Sequence, residues 1–128
     1  MINYIALLVA SIVGYIIPMI WYAPPLFGKK WMKYSGIKEM KMNPAIMFGG
    51  FIITIIFNGV ISWIIGLANI TTFVQGMGIG AILWLGFIAT SQLDSVLYTK
   101  RPVALYWITS IQYLISMVIV GGILAVWQ

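Results

Sequence analysis

The chain has 128 residues, 62% of them hydrophobic and 7% charged, with a net charge of +5 and neither cysteine nor histidine. A soluble domain is about 45–50% apolar and ~25% charged, so this composition excludes an ordinary water-soluble core. The missing thiols and imidazoles exclude disulfides, the common zinc, iron–sulfur and histidine-ligated haem sites, and the Cys/His and Ser/His nucleophile systems.

Four apolar stretches account for the chain: Tyr4–Tyr22, Ala45–Leu67, Phe73–Tyr98 and Val103–Trp127. Each holds about 19–26 residues, enough at ~1.5 Å per residue to cross a ~30 Å hydrocarbon core. The prediction is an all-α integral membrane four-helix bundle, one domain over residues 1–128, with a short interfacial helix between the first two spans. The first stretch is expected to stay uncleaved. Met1–Tyr4 carries no basic side chain, and Tyr22-Ala23-Pro24-Pro25 is a poor cleavage site. Ser11, Tyr15, Pro18 and Tyr22 share one side of this helix.

The gap Ala23–Asn43 is the longest. Pro24-Pro25 stops the first helix and can start another. Phe27, Trp31 and Tyr34 follow at helical spacing, with Lys29, Lys30 and Lys33 on other faces, and Gly36 is a C-terminal stop. This predicts a helix over Pro25–Ser35 lying in the membrane surface, with those six residues as its anchor. Glu39 stands between Lys38 and Lys41 as a solvated ion pair of little energetic weight. Met32, Met40, Met42 and Met47 could hold Cu(I) in principle, but without Cys or His companions they read as packing or lipid-facing methionines. No cofactor is expected.

Asn43-Pro44 has the form of an N-cap followed by proline in the first turn, and opens the second span. Asn58 lies near its middle, and Gly59, Ser62 and Gly66 form a small-residue stripe. The gap Ala68–Thr71 is so short that spans two and three must be antiparallel neighbours. Thr72-Phe73-Val74-Gln75 has capping-box form and opens the third. Gly76 and Gly80 form a GxxxG pair, which lets helix backbones approach. The alternating Gly76-x-Gly78-x-Gly80 is not a phosphate-binding fingerprint, since no strand precedes it.

Asp94 lies near the end of the third span, with Thr90, Ser91 and Tyr98 on its face. An ionisable group in a span is a functional candidate by default. The bland reading, favoured here, pairs it with Lys100 or Arg101. Pro102 opens the fourth span. There Thr109, Gln112 and Ser116 form a polar stripe, and Gly121 with Ala125 another small-residue pair. Asn58, Gln112, Asp94 and Arg101 could line a polar path. Interhelical hydrogen bonding, averaging ~0.6 kcal/mol in one measured system, is the alternative.

All seven basic residues fall in two gaps: Lys29, Lys30, Lys33, Lys38 and Lys41 in the first, Lys100 and Arg101 in the last. Lys- and Arg-rich loops stay on the cytoplasmic side. Both termini are therefore expected outside, in the plasma membrane. The basic residues abut spans, so they point to anionic lipid headgroups as partners rather than to nucleic acid.

Trp21-Tyr22-Ala23-Pro24, Leu26-Phe27-Gly28-Lys29 and Trp31-Met32 resemble the first-loop signature of the domain-of-unknown-function 1761 family. Trp84-Leu85-Gly86-Phe87, Arg101-Pro102, Gly122-Ile123-Leu124 and Trp127 are similar as well. Gln112-Tyr113 departs from the Gly-Tyr of the pattern, and Asp94 matches no family position. The resemblance implies a small four-span membrane protein and transfers no catalytic residue.

The expected function is non-enzymatic. The small-residue stripes and scarce intramembrane charge suggest helix packing, as an accessory subunit of a larger membrane complex or as a homo-oligomer. The alternative is a small channel or transporter for an ion or small solute, which needs Asp94, Asn58 and Gln112 to converge on one water-accessible cavity.

Overall fold

The computed structural model describes residues 2–38 and 43–128. Its α-helices are α1 (Tyr4–Trp21), α2 (Lys29–Ser35), α3 (Pro44–Leu67), α4 (Phe73–Leu83), α5 (Thr90–Tyr98) and α6 (Val103–Val126). A kinked turn, Pro24–Gly28, with Leu26 at the non-helical φ −102° and ψ −107°, leads into α2, and a π-helical turn, Trp84–Ala89, joins α4 to α5. Four continuous helical segments are long and apolar enough to cross a membrane: α1, α3, α4 through α5, and α6. The chain is thus the predicted all-α four-helix membrane bundle. Glu39, Met40, Lys41 and Met42, with the ion pair and the methionine cluster expected there, lie outside the described residues.

Local chemistry sets the helix ends. The Asn3 carboxamide accepts from the Ile5 and Ala6 N–H groups at 3.1 Å, Asn43 from Ile46 at 2.9 Å, and the Thr72 hydroxyl from Gln75 at 3.2 Å. Each fills an N–H that a first turn leaves unpaired. Gly36 ends α2 at φ 75°, and Asn69 turns the chain between α3 and α4 at φ 55°. Both sit in the left-handed region, which Gly adopts freely and Asn tolerates.

Helix α6 is the axis of the bundle. Half of its most apolar window is buried, against 17–22% for the other spans. It packs on α1, α3 and α4. Its contact with α4 is backbone to backbone. A side chain at Gly76 would strike the Gly121 carbonyl and the Ala125 methyl, and one at Gly80 the Met117 carbonyl. Ala6 and Ala10 of α1, both fully buried, belong to the same core as Ile61, Ile65, Met117, Val120 and Leu124. Large apolar side chains such as Val74, Ile82 and Phe87 are exposed on the outside, where lipid would solvate them.

The predicted packing residues therefore divide. Gly76, Gly80, Gly121 and Ala125 meet within the chain. A methyl added at Gly59 would meet only Leu7, at 3.8 Å, and one at Gly66 would meet no atom within 4 Å. Ser62 is half-buried.

The segment between the first two spans is helical, as expected, and two of its rings also have aromatic partners on α1 or just after it. Phe27 stacks on Trp21 with ring centroids 4.3 Å apart, and Trp31 lies 5.5 Å from Tyr22. The kink at Leu26 within Pro24–Gly28 brings these rings back against the end of α1. Phe27, Trp31 and Tyr34 are each half-buried, so part of every ring stays at the surface. Lys29, Lys30 and Lys33 remain at the surface.

Candidate functional site: a polar cavity inside the bundle

The π turn at Trp84–Ala89 decides which residues face inward. In an unbroken α-helix, at ~100° per residue, Asp94 would lie directly below Gly76 after 18 residues and so face α6. A π turn inserts one extra residue, turning everything after it by about 100°. Ser95 then takes the inward position. Asp94 is exposed, together with Thr90, Ser91 and Tyr98. The turn is held by side chains that take its carbonyls: Thr90 donates to Gly86 at 2.7 Å, Ser91 to Phe87 at 2.6 Å and the Tyr106 hydroxyl to Ala89 at 3.1 Å. The Trp84 indole N–H reaches across to the Ser110 carbonyl at 2.7 Å, as Trp21 does to Ile108 at 2.9 Å. Both ties fix a neighbour against α6.

Between α1, α3, α5 and α6 lies a cavity of about 480 Å³. Drug-sized ligand sites run about 300–1,000 Å³. Toward the basic end it is lined by Trp31, Ser95, Arg101 and Gln92. Further in come Tyr22, Tyr106, Thr109, Gln112 and Tyr113, and at its deep end Gly14, Thr54, Asn58, Ser116 and Val120. Arg101 is the one charged residue among these lining groups.

The polar groups are only partly paired with one another. The Thr109 hydroxyl lies 2.8 Å from the Gln92 carboxamide oxygen, and Gln112 donates to the Ser116 hydroxyl at 2.8 Å. Asn58 donates to Ser11 at a long 3.5 Å, and Thr54 turns back onto the Gly50 carbonyl at 3.0 Å. Asn58 and Gln112 are only 4% and 5% exposed. Their carboxamide oxygens accept no hydrogen bond from a described residue. Pro18, which also lines the cavity, has no N–H to offer the Gly14 carbonyl one turn earlier. Neither carboxamide oxygen is among the fully buried, unpaired side-chain atoms, so each keeps some access to the cavity space, where an acceptor left without any partner would cost ~1–3 kcal/mol. The cavity is therefore a place where water or a ligand donor completes the hydrogen bonding.

Of the four residues expected along a polar path, Asn58, Gln112 and Arg101 line this cavity and Asp94 does not. Nor is Asp94 drawn into a hydrogen bond with Lys100 or Arg101. Arg101 is among the residues lining the cavity, and its backbone N–H bonds the Ser95 carbonyl at 3.1 Å. Gln92, Ser95, Tyr106 and Tyr113 were not expected. A count of amide and hydroxyl groups in spans three and four would have found them, where a search for charge did not. The hydroxyl of Ser110 is buried with no partner among the described residues, away from this cavity, and we have no physical account of it. No group of three or more metal-ligating His, Cys, Asp or Glu occurs among the described residues.

The family model described as "Protein of unknown function (DUF1761)" matches residues 5–125. The chain belongs to that family. No match was found among curated proteins or among solved structures.

Proposed function

We propose that the chain is a non-enzymatic protein of the plasma membrane, with both termini outside, that binds a small polar solute in the cavity as a channel or transporter does. One observation carries this reading. Two amides more than nine-tenths buried, Asn58 and Gln112, line one cavity near the middle of the bundle, and their carboxamide oxygens take no hydrogen bond from a described residue. Polar groups at that depth are expensive unless something meets them. The non-enzymatic part rests on chemistry. The lining hydroxyls of Thr54, Ser95, Thr109 and Ser116 have no basic partner among the lining residues that would make any of them a nucleophile. The orientation rests on the two basic loops, whose lysines would meet anionic headgroups at ~1 kcal/mol each.

The experiment is a solute panel on purified protein in proteoliposomes, read as thermal stabilisation and counterflow. A polar solute should stabilise the wild type and exchange across the bilayer. Asn58→Leu with Gln112→Leu should remove both effects and leave the fold intact. Solutes acting equally on both proteins would refute the reading.

An accessory or self-associating role is the second reading. The observation in its favour is the stripe on α3, where Gly66 has open space around it and no use within the chain. It predicts an assembly in native membranes that Gly66→Leu disperses and the cavity variants leave unchanged.

A further inference from the structure

The cavity has two openings and one charge, and together they narrow its ligand. Ile53 lines it and is 68% exposed. This residue stands nine positions beyond Pro44, about 14 Å along the helix from the basic end, which is within hydrocarbon. Tyr113, opposite on α6, also lines the cavity and is 38% exposed. At this height the cavity wall formed by α3 and α6 is thus itself exposed to lipid, with the ring centroids of Phe57 and Tyr113 6.1 Å apart across it, and we read that thin wall as a lateral slot. The other opening is at the basic end, where Arg101 is exposed and lines the mouth. No carboxylate occurs among the described lining residues, so an anion entering there meets one guanidinium and no opposing charge.

We propose that the cavity receives one anionic phospholipid from the basic-end leaflet. The headgroup oxygens lie on Arg101 and the amide N–H groups of Gln92, and the chains leave sideways past Ile53 into the bilayer. This rests on the reading above that the cavity holds a polar ligand, and it makes that ligand the headgroup of a lipid in place of a soluble solute. Charge complementarity selects the headgroup: a guanidinium binds phosphate oxygens through paired, charge-assisted hydrogen bonds. The lateral slot selects a molecule with a hydrocarbon part. A soluble solute would gain nothing from an opening into lipid, whereas a lipid can enter without withdrawing its chains from the hydrocarbon. The Gln112 acceptor, further in, suits a hydroxyl donor on the headgroup.

The test uses the absence of native cysteine. Thr109→Cys places a single thiol in the cavity, and Thr99→Cys places a reference thiol on the exposed basic end. Their reaction with an uncharged methanethiosulfonate is timed in nanodiscs, and the ratio of the two rates is the readout. In phosphatidylcholine the cavity thiol should react. Replacing a third of the lipid by phosphatidylglycerol should slow it at least about fivefold relative to the reference, the scale of one charge-assisted contact. Arg101→Gln should abolish the slowing, and glycerol 3-phosphate in phosphatidylcholine nanodiscs should not reproduce it. Equal ratios in the two lipids would overturn this inference and leave the cavity reading standing. So would slowing that survives Arg101→Gln, which would assign it to the surface lysines, or slowing by glycerol 3-phosphate, which would identify a soluble anion. A cavity thiol inert in every condition would overturn the solute-binding reading itself.

Discussion

Replacing Gly80 by alanine should destabilise the bundle, and replacing Gly78 should not. The added methyl at Gly80 would sit 2.6 Å from the Met117 carbonyl carbon and 3.1 Å from the Val118 nitrogen, where ordinary contact begins near 3.4 Å. Both obstacles are backbone of α6, so neither can swing aside. The Met117 carbonyl oxygen is nearer still, so the helices must part by more than the ~0.8 Å the carbon alone requires, and a gap of 0.5–1 Å already forfeits a quarter to a half of each contact's dispersion energy. The separation reaches Gly76 and Gly121 one turn away. Overpacking costs ~1–3 kcal/mol, and the better helix propensity of alanine returns ~0.5–1 kcal/mol. The net loss should be about 1–2 kcal/mol. Gly78 is two residues along and has no atom within 4 Å of its added methyl, so it should show the propensity gain alone. Reversible unfolding in mixed micelles, followed by far-UV circular dichroism, measures both. Equal shifts for the two variants would show that α4 does not meet α6 through Gly80.

Trp84→Phe removes the indole hydrogen bond to the Ser110 carbonyl and should cost about 1 kcal/mol in the same assay; no loss would mean that the π turn is not held by that bond. Asp94→Asn changes an exposed group outside the cavity, so its stability should stay within about 0.5 kcal/mol of wild type and its solute response should be unchanged. A solute flux abolished by this substitution would restore Asp94 to the path. A cysteine replacing Thr71 should react with an impermeant maleimide in intact cells, and one replacing Lys38 should not; the reverse pattern would invert the bundle.

The four spans were legible because lipid demands a run of apolar residues of fixed length, and Asn43-Pro44 and Thr72 marked two of the helix starts through ordinary capping chemistry. The GxxxG pair was legible as a close contact, but not that Gly121 and Ala125 on α6 would be what it meets. The π turn was not legible. Trp84–Ala89 is as apolar as its neighbours, and its cause is the set of distant bonds that tie Trp84 and Ala89 to α6. Asp94 drew attention as an ionisable group in a span; that one unseen residue of rotation is why Ser95, and not Asp94, lines the cavity. The aromatic rings of the first loop fitted a membrane-surface helix by spacing alone. Their stacking on Trp21 and Tyr22 depends on the fold-back at Pro24–Gly28, and spacing carries no information about that.

The central claim is that water reaches the middle of this bundle from its basic end. A nitroxide on a cysteine replacing Ser116, with the protein in nanodiscs hydrated by deuterium oxide, measures this by electron spin echo modulation. A second label at Ile82, 66% exposed on the outer face, reports the lipid environment. We expect the label at residue 116 to show deuterium modulation several times that at residue 82 and close to that of a label at Lys38. Equal, weak modulation at residues 116 and 82 would contradict the claim and leave a bundle whose polar groups serve packing alone.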